Sequence, residues 1–164
     1  MVLPTLHGDR VLLEPVRPEQ GQRLRQLRTT PEVARWWEPP PDGWPLTAEP
    51  DLYKLAIVVD DEVAGYVQFW EERDPDARHA DVDIFLGPQH HGRGLGTDAM
   101  RTVIRYLIHQ RGHHRVTLGT SVDNARAIRC YEKVGFRRVG VMRKVTRSHL
   151  SGEWEDEILM EYVV

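Results

Sequence analysis

The run 80–108 constrains this chain more than any other part of it. From Ala80 to Leu86 successive residues alternate, with Asp81, Asp83 and Phe85 on one face and Val82, Ile84 and Leu86 on the other, the period of a strand. Leu95, Ala99, Met100, Val103, Ile104, Leu107 and Ile108 then recur at helical spacing, forming one buried stripe of an amphipathic helix that Gly112 ends. The two are joined by His91-Gly92-Arg93-Gly94-Leu95-Gly96-Thr97, three alternate glycines where helix N–H groups are still unpaired. A strand feeding such a helix requires a sheet with helices packed on it, because neither apolar surface can be buried alone.

The rest of the chain supplies that sheet. Residues 11–15 read as a first strand, 19–28 as a polar helix, and 31–37 as a short helix that Pro39-Pro40-Pro41 stops, leaving 38–50 as a loop. Residues 55–59 and 63–70 flank Asp60-Asp61-Glu62 as the arms of a hairpin would. Residues 116–118, 136–142 and 157–163 read as strands, and 124–134 as a helix stopped by Gly135. No repeat or low-complexity linker divides the chain, so a single α/β or α+β domain over 1–164 is expected.

Composition narrows the function classes. Hydrophobic residues at 40% and charged residues at 29% are ordinary for a globular domain, and no stretch is apolar enough to span a bilayer. The start of the chain lacks the basic and apolar segments of a signal peptide, so a cytoplasmic protein is expected. A lone cysteine, Cys130, forms no intramolecular disulfide and reads as a small core residue. A net charge of −3 gives no general attraction to nucleic acid. Acidic residues crowd the segment 71–83, where Glu71, Glu72, Asp74, Asp76, Asp81 and Asp83 face only Arg73 and Arg78. That field favours a cationic ligand, or else belongs to a solvated loop.

The glycine loop is built like a phosphate cradle: glycines admit positive φ and close approach, and the helix dipole favours an anion. Arg93 adds a positive charge. Asn124 and Tyr131, seven apart on the later helix, face the same way. Together, in this order, the loop and the segment 124–136 resemble the acetyl-CoA-binding motifs of the GNAT N-acetyltransferases. Within that superfamily the phrase 126–133, Trp36-Trp37, Gly65-Tyr66 with Gln68, and Asp83 resemble the aminoglycoside 6'-N-acetyltransferases.

The resemblance implies a mixed, mostly antiparallel sheet of six to seven strands flanked by about four helices. It implies an acetyl-CoA-dependent enzyme acting on a small amine, with antibiotic resistance as one outcome. Phe85 and Leu86 would offer main-chain bonds to the pantetheine arm; His91, Gly92, Arg93, Gly94, Leu95, Gly96 and Thr97 would hold the pyrophosphate; Asn124, Ala127 and Tyr131 would flank the thioester. Trp36, Trp37, Gln68 and Trp70, with Asp83, would border the acceptor, although large aromatics are as often core. Two positions depart from the family pattern. His91 stands where glutamine or arginine is usual, and Gly119-Thr120 lack the acidic residue expected of an aminoglycoside site.

An amine of pKa near ~10.4 is almost wholly protonated at neutral pH, which costs about 4–5 kcal/mol before reaction. Asp83 is the first candidate to bind the ammonium and take its proton, Asp81 the second, each with the alternative of an exposed strand carboxylate. Tyr131 is the candidate donor to the departing thiolate, or else a packed ring. No enzyme nucleophile is needed. His90-His91 and His113-His114 lack metal-site spacing, and no metal is expected. The acceptor is expected to be a small polycationic amine, with protein amines and a non-catalytic acyl-CoA sensor as the alternatives. A monomer or homodimer is expected; the strand 157–163 is open to pairing across a dimer, with a chain-terminal edge strand inside one sheet as the plainer reading.

Overall fold

The computed structural model describes residues 2–164. Its centre is one eight-stranded sheet in the order β1-β2-β3-β4-β5-β6-β8-β7. The strands are β1 (Leu6–His7), β2 (Leu12–Pro15), β3 (Leu52–Val59), β4 (Glu62–Glu71), β5 (Ala80–Leu86), β6 (Arg115–Ser121), β7 (Arg137–Arg147) and β8 (Trp154–Val163). The helices are α1 (Gly21–Arg28), α2 (Pro31–Ala34), α3 (Leu95–His109) and α4 (Ala125–Val134). Every strand pairing is antiparallel except β5 with β6. The eighth strand beyond the expected six to seven is the two-residue β1, too short to carry a period.

Local chemistry accounts for the connections. Asp60 and Asp61 turn between β3 and β4 at φ 49° and 64°, a left-handed pair that aspartate tolerates better than most residues. Asn124 caps α4 through its side chain, which accepts from the Ala127 N–H, and Gly135 ends that helix at φ 122°. The helix expected over 31–37 ends at Ala34, before Trp36 and Trp37.

The sheet buries both faces, and the alternation of β5 divides them. Val82 and Leu86 join Leu13, Leu55, Val67, Leu118 and Met160 under α3, whose Met100, Val103 and Leu107 are fully buried. Phe85 lies on the opposite face with Tyr66, Ala56, Trp44 and the Leu24 and Leu27 side chains of α1. Each such side chain contributes roughly 1.5–3 kcal/mol of burial. β8 pairs within the one sheet, but it is not the edge strand expected at 157–163: it lies between β6 and β7 and pairs with both, which leaves it no free side for pairing across a dimer. The edge on this side of the sheet is β7, exposed along most of its length.

Candidate active site

β5 and β6 pair only at Ala80 with Val116 and Asp81 with Thr117, and then part. β6 stays bound to β8 as far as Ser121 with Glu157, and β5 stays bound to β4 as far as Leu86 with Gly65, so the sheet splits between these two pairs. The parting leaves one edge of β5 without a strand partner and opens a cleft of about 510 Å³ between Phe85-Leu86 on one side and α4 on the other. Asp83, Phe85, Leu86, His91, Gly96, Asn124, Ala127 and Tyr131 all line it, so residues distant in sequence converge here.

The glycine loop borders this cleft. Gly92 at φ 71° and Gly94 at φ 75° need glycine for their conformation, whereas Gly96 is helical and its hydrogen faces Leu86 and Cys130 at ordinary contact distance. A Cβ added at Gly92 would meet nothing within 4 Å, so there is open space over the loop. The N–H groups of Leu95, Gly96 and Thr97 begin α3 and lack intrahelical partners. Asp98 accepts from the backbone N–H groups of Asp9, Arg10 and Val11 at 3.0, 2.7 and 3.1 Å, and the Arg10 guanidinium donates to the Arg93 carbonyl. The N-terminal segment is thereby strapped to the loop. Open space, free N–H groups and two guanidinium groups fit a pyrophosphate.

His91 has a different part from its neighbours. Its Nε2–H donates to the Leu86 carbonyl at 2.8 Å, and its Nδ1 accepts from Arg126. A carbonyl only accepts and a guanidinium only donates, so the ring is the neutral Nε2–H tautomer. Burial lowers its pKa in the same direction, with Arg126 adding to it. His91 thus ties β5 to α4 across the cleft, and the Leu86 carbonyl expected to bond a ligand is already taken.

Asp83 is open to the cleft, yet the surrounding protein withholds bulk water from it. That desolvation, with the charge of Asp81 added, pushes its carboxyl up to about 7. Asp81 is raised by burial while accepting from the Thr117 hydroxyl at 2.8 Å. Tyr131 packs its ring 6.0 Å from Phe136, and its hydroxyl carries no hydrogen bond among the described residues. Burial, with the charge of Asp83, pushes that phenol well above its usual range. It therefore stays protonated and acts as a hydrogen-bond donor, a weaker proton source than an ordinary tyrosine.

The acceptor side is partly as expected. Trp36 and Trp37 line the cleft; Trp37 sits edge-on to Phe85 at 5.0 Å with Arg28 over its ring at 5.1 Å. Gln68 faces Asp83 across the β4–β5 pair but accepts from Tyr66 at 2.9 Å and does not line the cleft. Trp70 packs against His79 at 6.1 Å, away from it. The acidic run also divides. Glu71 is buried against Arg111 and His113, and with Glu72 it lines a separate cavity of about 340 Å³; Asp81, the second candidate base, accepts from Thr117 where β5 and β6 are still paired and does not line the cleft, so of the run 71–83 Asp83 is the carboxylate that does. Arg10, Asp98, Arg126 and Glu157 escaped the sequence reading, because each acts across strands or helices far from it in the chain.

The profile of the Acetyltransferase (GNAT) family matches residues 20–136. An aminoglycoside N(6')-acetyltransferase type 1 from Klebsiella pneumoniae is 33% identical over 120 residues, covering 73% of this chain and 53% of its own. A spermidine N(1)-acetyltransferase from Escherichia coli is 26% identical over 169 residues, covering 96% and 87%. The chain spans about half the length of the former relative and of others like it. The structure of Mycobacterium smegmatis RimJ in complex with CoA-disulfide superposes with a TM-score of 0.84 at 17% identity, covering 98% of this chain and 88% of that one.

Proposed function

Because this chain belongs to the acetyltransferase (GNAT) family, we propose that it is an N-acetyltransferase that transfers the acetyl group of acetyl-CoA to a small polycationic amine of the aminoglycoside or polyamine type. One observation carries this reading: β5 and β6 part beside the glycine loop, so that Asp83 and Tyr131 share a cleft with the start of α3. The names of the relatives point to the same acceptor class.

Gly92, Gly94 and the N–H groups of Leu95 to Thr97, with Arg93 and Arg10, hold the pyrophosphate of acetyl-CoA, and the unpaired edge of β5 takes its pantetheine arm. Bound acetyl-CoA supplies the acetyl group as a thioester, and the free amine forms the C–N bond as the C–S bond breaks to leave the thiolate. Asp83 binds the incoming ammonium and accepts its first proton; a carboxyl near 7 is better matched to that task than an ordinary aspartate. The second amine proton is lost after attack and passes to the thiolate to give the free thiol, while Tyr131 donates a hydrogen bond to the departing sulfur. Orientation in the cleft provides much of the rate. A cationic acceptor is favoured because Asp83 lines the cleft and forms no ion pair among the described residues.

The test is thiol release from acetyl-CoA with a panel of aminoglycosides, polyamines and N-terminal peptides. Release with the polycationic amines, reduced in Asp83→Asn, is expected. Release confined to peptides would move the acceptor to protein amines. Tight acetyl-CoA binding with no release over the whole panel would make the protein a sensor.

A further inference from the structure

Gly119 leaves a gap on β6 that a carboxylate from the neighbouring strand fills. A Cβ at position 119 would lie 2.9 Å from Oε2 of Glu157, the residue that faces Ser121 on β8. The other oxygen, Oε1, accepts from the Thr146 hydroxyl of β7 at 2.8 Å, which fixes the carboxylate's direction. Glu157, Gly119 and Thr146 all line the cleft that holds Asp83. Oε2 carries no hydrogen bond among the described residues, and Glu157 has no ion pair there. The charge of Glu157 also reaches Asp81 and Asp83.

Resting on the acetyltransferase reading above, we propose that Glu157 is a specificity-determining residue that binds a second ammonium of the acceptor through Oε2, while Asp83 receives the ammonium that is acetylated. The acidic residue missing at 119–120 is thus supplied from β8, through space that only glycine at 119 leaves clear. An ammonium donates three hydrogen bonds and its charge relieves the repulsion among the carboxylates. A monoamine satisfies Asp83 alone; a diamine of suitable length satisfies both.

The experiment compares kcat/KM for α,ω-diamines of increasing spacer length with that for n-alkylamines of the same length. Wild type is expected to favour diamines and to show an optimum length. Glu157→Gln keeps the side chain's shape and its acceptor for Thr146, and it is expected to lower the diamine-to-monoamine ratio about tenfold or more, as loss of one partly desolvated charge pair does. Gly119→Ala, whose methyl displaces Oε2 without removing charge, is expected to lower the same ratio. Asp76→Asn, in the loop after β4, keeps the wild-type ratio. An unchanged ratio in both Glu157→Gln and Gly119→Ala overturns the assignment while leaving the acetyltransferase intact. Absence of thiol release with every amine overturns the acetyltransferase reading instead. Diamine binding by calorimetry, weakened in Glu157→Gln, then still decides for or against Glu157.

Discussion

Thr117 donates its hydroxyl to Asp81 at 2.8 Å at the last position where β5 and β6 are paired. This bond closes the seam of the sheet at the point where the cleft begins, and Thr117 is 4% exposed. Thr117→Val keeps the side-chain shape but leaves a desolvated carboxylate short of a donor. The expected loss is about 1–3 kcal/mol in urea denaturation, with the Asp81 carboxyl moved further up. A variant as stable as the parent would mean that water replaces the hydroxyl.

The raised Asp83 carboxyl has consequences for both stability and rate. Between the ordinary aspartate value and about 7 the folded state holds a proton that the unfolded state has lost, so this residue's contribution to stability falls as pH rises through that window. Asp83→Asn removes that part of the pH dependence. In the parent enzyme kcat/KM is expected to rise through a group near 7, and the asparagine variant to lack that limb. Thermal melts and rate profiles over the same pH range measure both.

Tyr131→Phe deletes a hydroxyl that bonds nothing among the described residues and keeps the packed ring. Stability is expected to stay within about 0.5 kcal/mol, because no buried partner is orphaned. A fall in kcat of about 10- to 100-fold, with little change in KM for acetyl-CoA, is the expected cost of one hydrogen bond made only in the transition state. An unchanged kcat would leave Tyr131 as a packing residue.

Gly92 and Gly94 separate backbone strain from ligand space. Alanine at 94 is forced to φ near 75° with its Cβ 2.8 Å from the Arg10 guanidinium, and is expected to cost about 1–2 kcal/mol of stability. Alanine at 92 carries the positive φ but meets no protein atom, so its larger effect should be on coenzyme A. Calorimetric titration is expected to show at least about a tenfold weaker coenzyme A complex for Gly92→Ala, a methyl having entered the cradle.

Glu71 belongs to the fold, not the site. Although burial works against its charge, hydrogen bonds from Arg111 and His113 hold its carboxyl below the usual range. The stability it contributes is therefore present above the ordinary glutamate value and lost as pH falls below it. Glu71→Ala breaks a buried pair and is expected to cost about 3–5 kcal/mol. Activity per folded molecule should remain near that of the parent, measured below the melting transition.

The parts of the fold that have a local cause can be read along the chain. The alternation 80–86, the α3 stripe, the Asp60-Asp61 turn, the Asn124 cap and the glycine loop each follow from spacing or φ preference over a few residues, and the observed elements carry them. Asp83 and the loop are legible as site candidates for the same reason, whereas spacing alone leaves Tyr131 a packed ring and only the resemblance of 124–136 makes it a candidate. Tertiary structure decided what depends on which strand lies beside which. Insertion of β8 between β6 and β7 brings Glu157 to the gap at Gly119, the parting of β5 from β6 makes the cleft, and Arg126 reaches His91 from another helix. Those contacts join residues tens of positions apart, and no local period records them. The acidic run 71–83 marks the limit: one strand period and one turn send Glu71 into an ion pair and Asp83 into the cleft, because side chains along a strand and its turn are divided by the partners each side meets.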